Sequence, residues 1–259
     1  MKKNLLLLLT LSTLVGCSSV SGLLGGGSGT DLSTNYSKYK LVSLSKREAN
    51  EVLDAIKSTQ HRNEIDIEKA ESFVGTMSLE EYNDKMTLSV DYNFKKNTYS
   101  LSYDVYEYNE LVDKQKLEIS VEDGYLICKE TVLEYYGYSY SEVDKEYARQ
   151  YSDLESLLML DSIASAFSVN YYLDEIDFED MGYNFNASFY GREINKDLTK
   201  KEIYAPDFIK IEDGSIMNGD ESLTFDCVAN KGWMVEFNYE MRSYYDNNYM
   251  KASVSCELK

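Results

Sequence analysis

Along most of this chain, apolar residues fall at every second position. Met86, Leu88, Val90 and Tyr92 alternate with polar neighbours, as do Tyr99, Leu101, Tyr103 and Val105, and then Leu117, Ile119 and Val121. A period of two in β-branched and aromatic residues predicts strands buried on one face. Polar groups at Lys95-Lys96-Asn97, Asp113-Lys114 and Glu122-Asp123-Gly124 are read as the turns between them, which makes an antiparallel meander.

The period changes in two places. Ser45-Lys46-Arg47-Glu48 fits a capping box, and Ala49, Val52, Leu53 and Ile56 continue at helical spacing, predicting a helix near 46–58. Ser152-Asp153-Leu154-Glu155 fits the same box. Leu154, Leu157, Leu158, Leu160, Ile163, Ala164 and Phe167 then give a broad apolar face, predicting a buried helix near 153–169.

The C-terminal strands can be read in register. Leu223, Phe225, Cys227 and Ala229 form one row, and Trp233, Val235, Phe237, Tyr239 and Met241 the next. Asn230-Lys231-Gly232 suits a three-residue hairpin loop with Gly232 in the left-handed position. That loop pairs Ala229 with Trp233, Cys227 with Val235 and Phe225 with Phe237. A turn at Asp246-Asn247 puts Met250, Ala252, Val254, Cys256 and Leu258 on the same face. The expected fold is α+β: one large curved antiparallel sheet with two main helices packed on one face.

The start of the chain follows another pattern. Lys2 and Lys3 precede an apolar run of about eleven residues, Leu5 to Val15. A bilayer-spanning helix needs roughly 20, so the run has the proportions of a secretory signal. It ends at Leu14-Val15-Gly16-Cys17. This tetrad resembles the lipobox of bacterial lipoproteins. The resemblance covers residues 1–17 and implies diacylglyceryl transfer to Cys17, cleavage after Gly16 and a mature chain anchored to the cell membrane on its extracytoplasmic side. Ser18 to about Thr34, centred on Gly25-Gly26-Gly27-Ser28-Gly29, reads as a flexible tether. The expected organisation is a signal peptide over 1–16, a lipidated cysteine and tether over 17–35, and one globular domain over 36–259. Lipidation plus this element order also looks like the LolA/LppX-type half-barrels of lipoprotein carriers, which hold acyl chains between sheet and helices. No motif carries that second resemblance, so it transfers no ligand residue.

Charge narrows the partners. The formal net charge is −19, and loss of residues 1–16 removes Lys2 and Lys3 and no acid, taking it to −21. Sequence-independent nucleic-acid binding needs Lys and Arg against phosphate, and docking on an anionic leaflet needs a basic surface; neither fits. The expected partners are the membrane, through the lipid on Cys17, and a lipid-like or protein ligand.

Candidate chemistry adds little. His61 is the single histidine and stands in the polar stretch Gln60-His61-Arg62-Asn63. A catalytic Ser-His-Asp set or most zinc sites would have to use it, and no such motif surrounds it. The acids Asp174, Glu175, Asp177, Glu179 and Asp180 lack the calcium-loop spacing and read as a solvated loop. No catalytic residue, cofactor or metal is assigned, and the chain reads as a non-enzyme.

With Cys17 lipidated, Cys128, Cys227 and Cys256 remain. The predicted register puts Cys227 and Cys256 on strands flanking the Trp233 strand, about 9.5 Å apart. A disulfide needs Cα atoms within about 7 Å, so both are read as buried free thiols.

The chain has 24 tyrosines, with clusters at Tyr135, Tyr136, Tyr138, Tyr140 and at Tyr244, Tyr245, Tyr249. Half-buried strand positions account for many of them; exposed clusters would suit glycan or protein contacts. The leading function is a membrane-anchored carrier of an apolar or amphiphilic ligand. The alternatives are a surface-interaction lipoprotein and, last, a carboxylate-based hydrolase.

Overall fold

A computed structural model describes residues 42–43, 67–137, 139–168, 186–190, 208–218, 221–230, 232–243 and 249–259. Among the described residues, twelve strands form one antiparallel sheet: β1 (Val42–Ser43), β2 (Ser72–Glu81), β3 (Asp84–Asn93), β4 (Thr98–Glu107), β5 (Glu110–Glu122), β6 (Tyr125–Tyr135), β7 (Tyr140–Gln150), β8 (Asn186–Tyr190), β9 (Phe208–Asn218), β10 (Glu221–Asn230), β11 (Trp233–Ser243) and β12 (Tyr249–Leu258). The order across the sheet is β1-β8-β9-β10-β11-β12-β2-β3-β4-β5-β6-β7. Two meanders, β2–β7 and β8–β12, are thus joined edge to edge where β12 pairs with β2. The Lys259 carbonyl, accepting from the N–H of Glu71 at 2.6 Å and of Ser72 at 3.2 Å, closes the end of that seam.

The alternating positions sort as the sequence predicts. Phe73, Gly75 and Met77 on β2, Leu88, Val90 and Tyr92 on β3, and Tyr99 and Leu101 on β4 are buried. Leu117, Ile119, Leu126 and Cys128 continue that row of buried positions through β5 and β6, and Val254, Cys256 and Leu258 supply it on β12. Two of the expected turns are present: residues 94–97, with the Lys96 N–H donating to Asn93 Oδ1 at 2.8 Å, and Asp123-Gly124, with φ of 50° and 82°.

The third turn is corrected. Asp113 and Lys114 lie inside β5, and the hairpin turns instead at Tyr108-Asn109. These polar residues have partners across the sheet: Asp113 accepts from the Tyr103 hydroxyl at 3.3 Å, and Lys114 pairs with Glu142 at 2.6 Å. Polar pairs of this kind hold a half-buried strand together and look like a turn only when their partners are unknown.

The helical layer is corrected as well. Of the two expected helices, the one near 46–58 lies outside the described residues. The other is interrupted: α1 (Leu154–Leu158) and α2 (Leu160–Ala166) are separated by Met159 in the left-handed region, φ 51° and ψ 41°. The expected capping box is not formed. A 3₁₀ turn over Tyr151–Asp153 leads into α1, and its N-cap residue Asp153 makes no side-chain capping bond. The break at Met159 buries Leu158 and Leu160 together with Ile163, Ala166 and Phe167 against one face of the sheet, which we call the inner face.

The register of β10 and β11 differs from the expected one. Asn230 pairs with Trp233 across a two-residue connection, with Gly232 at φ 82°. A bulge then adds Val235, so that Cys227 pairs with Phe237 and Phe225 with Tyr239. Without the bulge, the short connection would turn Phe237 and Tyr239 to the outer face, because a one-residue slip exchanges the faces of a strand. Inward burial of the aromatic row prevails, and the bulge is the local accommodation. The expected row on β12 stands: Met250 pairs with Met241, Ala252 with Tyr239 and Val254 with Phe237. The proposed turn at Asp246-Asn247 lies outside the described residues.

Candidate functional site

Burial on the inner face falls steadily from one end to the other. On β3 it runs from Tyr92, fully buried, through Val90 and Leu88 to partly buried Met86. On β12 it runs from Leu258 and Cys256 through Val254 to Ala252 and Met250, and on β4 from Tyr99 and Leu101 to Tyr103 and Val105. The covered end is where α1 and α2 sit. There Phe167 meets Phe73 edge-on at 5.4 Å between ring centres, and Trp233 lies 5.5 Å from Phe73. The Phe167 carbonyl accepts from the Met234 N–H at 2.8 Å. Trp233, Tyr92, Phe73, Phe167, Leu126, Leu158, Ile163, Met234 and Leu258 are all essentially inaccessible to solvent. The space beneath α1 and α2 is therefore filled by side chains.

Beyond the helices, the register assembles a cross-strand row. Phe225, Tyr239, Ala252, Leu79, Met86 and Val105 stand opposite one another in succession on β10, β11, β12, β2, β3 and β4. Five inter-strand spacings make a ledge about 24 Å long. Except for Phe225, its members are partly exposed. Leu79, Met86 and Val105 give it a flexible apolar surface, and methionine adapts to irregular apolar partners.

The ledge ends in polar groups. Val105 pairs with Asp113, and Tyr103 with Gln115. The Tyr103 hydroxyl donates to Asp113 Oδ2 at 3.3 Å, and Gln115 Nε2 donates to Glu130 Oε1 at 2.6 Å. Burial first, then the charge of Asp113 and its hydrogen bond, push the Tyr103 phenol up to about 12. It therefore stays a neutral donor throughout the physiological range. Farther along β6, Lys145 bonds Glu134 at 2.8 Å, and this contact, followed by the bond from Tyr136, holds the Glu134 carboxyl below its ordinary range. The inner face thus joins an apolar stretch to a hydrogen-bonding, carboxylate-bearing one.

Two hollows lie on the opposite, outer face. One of about 270 Å³ is lined by Thr76, Glu236, Asn238, Ser253 and Ser255 beside the Val235 bulge. The other, about 340 Å³, includes Asp91, Ser100, Glu118 and Lys129. Both are shallow and mixed in character, with Val235 and Val254 in the first and Tyr99, Ile119 and Ile127 in the second beside the polar groups.

The residues singled out from sequence fare unequally. Gly16, Cys17, His61, the acids 174–180, Tyr138, Tyr244 and Tyr245 lie outside the described residues. Cys128, Cys227 and Cys256 are buried free thiols. Cys227 Sγ lies 3.6 Å from Met234 Sδ, and the Cys256 thiol donates to the Met234 carbonyl at 3.1 Å, so the two cysteines bracket Met234 from β10 and β12. Among the described residues no group of three or more His, Cys, Asp or Glu side chains is placed to hold a metal ion. Tyr135, Tyr136 and Tyr140 are exposed, and Tyr249 is half-buried. Tyr82 and Tyr108, outside both tyrosine clusters, are exposed as well. Both occupy hairpin turns with positive φ, 57° and 53°, which no hydrophobic pattern marks.

No family model and no curated protein matches this chain. Among solved structures, it is similar to a β-barrel-like protein from Brucella abortus that carries a domain of unknown function. The similarity covers 73% of this chain and 98% of that one, at 8% identity and a TM-score of 0.20.

Proposed function

We infer that this protein is an exported lipoprotein, held at the membrane by a diacylglycerol on Cys17, that binds an amphiphilic ligand along the open part of its inner face. The observation that carries the ligand reading is the ledge Tyr239–Ala252–Leu79–Met86–Val105 running into Asp113, Gln115 and Glu130. An extended acyl chain fits the apolar part, and the hydrogen-bonding end suits a polar head. Because side chains fill the space under α1 and α2, the ligand lies beyond the helices instead of beneath them. The anchor reading rests on Leu14-Val15-Gly16-Cys17 behind a basic and apolar leader. Two acyl chains hold a protein stably where one is marginal. Among the described residues no helix is long and apolar enough to cross a membrane.

Native mass spectrometry of the protein purified without its signal and lipid tests the ligand reading. A co-purifying amphiphile that is lost in Met86→Lys is expected. A ligand-free wild type that also takes up no added lipid refutes it. Fatty-acid labelling in cells tests the anchor separately: label on the wild type and none on Cys17→Ala is expected, and label retained by the variant refutes it.

A further inference from the structure

Three hairpin tips stand side by side at the open end of the sheet: Tyr82-Asn83 between β2 and β3, Tyr108-Asn109 between β4 and β5, and Tyr135-Tyr136 where β6 ends ahead of β7. Each presents tyrosine to solvent. Tyr108 is 80% exposed, Tyr82 49%, Tyr135 61% and Tyr136 58%.

Two of these tyrosines sit where a tight turn favours glycine or asparagine. A bulky residue at positive φ is a genuine outlier, and such strain tends to collect at functional sites. The first two tips are also tied together. The Asn109 N–H donates to the Asn83 carbonyl and the Tyr108 N–H to Asp84 Oδ1, each at 2.9 Å. The Tyr82 N–H in turn donates to the Tyr249 carbonyl at 3.1 Å. The rings are therefore carried on a braced edge.

Charge selects the occupant. Glu81 and Asp84 flank Tyr82, and Glu107 and Glu110 flank the Tyr108-Asn109 turn. At the far end of the sheet the corresponding turns carry Lys95 and Lys96 on one and Glu122 and Asp123 on the next, so the acidic bias belongs to the tyrosine end. A second copy of a chain of charge −19 is repelled there, as is an anionic surface. Aromatic faces edged by carboxylates attract cations. One is already in place beside these tips: the Arg242 guanidinium lies over the Tyr249 ring, 5.9 Å from its centre. Adjacent tips are two strand spacings apart, so the three span about 19 Å. A small cation meets one tip, whereas an extended peptide of about six residues reaches all three.

We propose that the Tyr82, Tyr108 and Tyr135–Tyr136 tips form a docking edge for an extended, Lys/Arg-rich segment of a partner protein. This edge is separate from the inner-face ledge and does not depend on a ligand being there.

The test is fluorescence anisotropy with a labelled peptide of alternating arginine and glycine, and a matched glutamate–glycine peptide. Tyr82→Asn/Tyr108→Asn keeps the net charge and suits both turns. It is expected to weaken binding of the arginine peptide about tenfold, while Tyr125→Asn/Tyr151→Asn, which removes two exposed tyrosines at the opposite end, leaves it unchanged. The glutamate peptide is expected not to bind. Equal affinity for the wild type and the Tyr82/Tyr108 variant would show net charge alone at work and overturn the proposal. So would an equal loss in both double variants, no binding by the wild type, or binding of the glutamate peptide. Circular dichroism on each variant separates lost binding from lost fold, and an unfolded Tyr82/Tyr108 variant would itself contradict the turn geometry.

Discussion

The Tyr92 hydroxyl on β3 donates to the Leu158 carbonyl at 2.6 Å, across 66 residues of sequence. The carbonyl is available because Met159 leaves the helical path. In a continuous helix it would accept from the N–H four residues on. The break and the tyrosine therefore complete each other: one frees a buried acceptor, and the other brings a buried hydroxyl that needs one. Tyr92→Phe removes the donor and leaves the carbonyl buried without it. A loss of about 1–3 kcal/mol in unfolding free energy is expected, read as a lower urea midpoint at unchanged slope.

Alkaline pH should destabilise the fold through two thiols. Burial pushes both Cys227 and Cys256 up from an ordinary value of 9.0 to about 12; Asp226 and Glu236 add to the effect at Cys227. The folded state therefore holds these protons more tightly than the unfolded chain does. Their contribution is complete below about pH 9 and is lost as pH rises from there toward 12, at about 1.4 kcal/mol per pH unit for each thiol. Urea midpoints measured from pH 8 to 11 should fall, and Cys227→Ala/Cys256→Ala should flatten the decline. A curve as steep in the double variant would mean that other groups cause it. In the native protein at pH 8 both thiols should resist alkylation, and both should react after denaturation without reductant.

Gly75 shows how closely helix and sheet meet. A Cβ built on it would stand 2.6 Å from Cζ and 2.9 Å from Cε1 of Phe167. Those atoms belong to a ring held edge-on against Phe73, so the ring has little freedom to retreat. Gly75→Ala should destabilise by about 1–3 kcal/mol. Phe167→Leu will itself destabilise, but the two changes should not add, because the smaller side chain makes room for the methyl. A double-mutant cycle by urea unfolding measures the coupling, and strict additivity would place the ring elsewhere.

The strands were legible wherever a single face is buried. Met86, Leu88, Val90 and Tyr92 show their period because the inner face is apolar and the outer one polar, and the rows of β10, β11 and β12 fell on the right face for the same reason. What escaped was non-local. Asp113 and Lys114 resemble a turn until Tyr103 and Glu142 are placed beside them. The Val235 bulge follows from a conflict between a short connection and an aromatic row, visible only once both are in register. The break at Met159 cannot be read from Leu154 to Phe167, whose apolar spacing is equally good for one unbroken helix. The ledge was half legible: its apolar members were assigned to strands, but their common row depends on five registers. Tyr82 and Tyr108 gave no signal, since turn chemistry leads one to expect glycine or asparagine at positive φ.

That departure from turn chemistry makes the last prediction. Tyr108 and Asn109 adopt φ of 53° and 64° in a two-residue hairpin turn, where asparagine and glycine fit and a tyrosine is strained. Tyr108 is 80% exposed, so its ring gains little from burial in return. Tyr108→Asn should raise the unfolding free energy by about 1 kcal/mol, read as a higher urea midpoint. Alone it should also weaken arginine-peptide binding, by less than the Tyr82/Tyr108 pair does. Stability and binding would then move in opposite directions at one residue, as expected of a side chain kept for contact at the expense of its turn. If the variant is less stable than the wild type, Tyr108 packs against something that holds its turn together, and the strain argument fails.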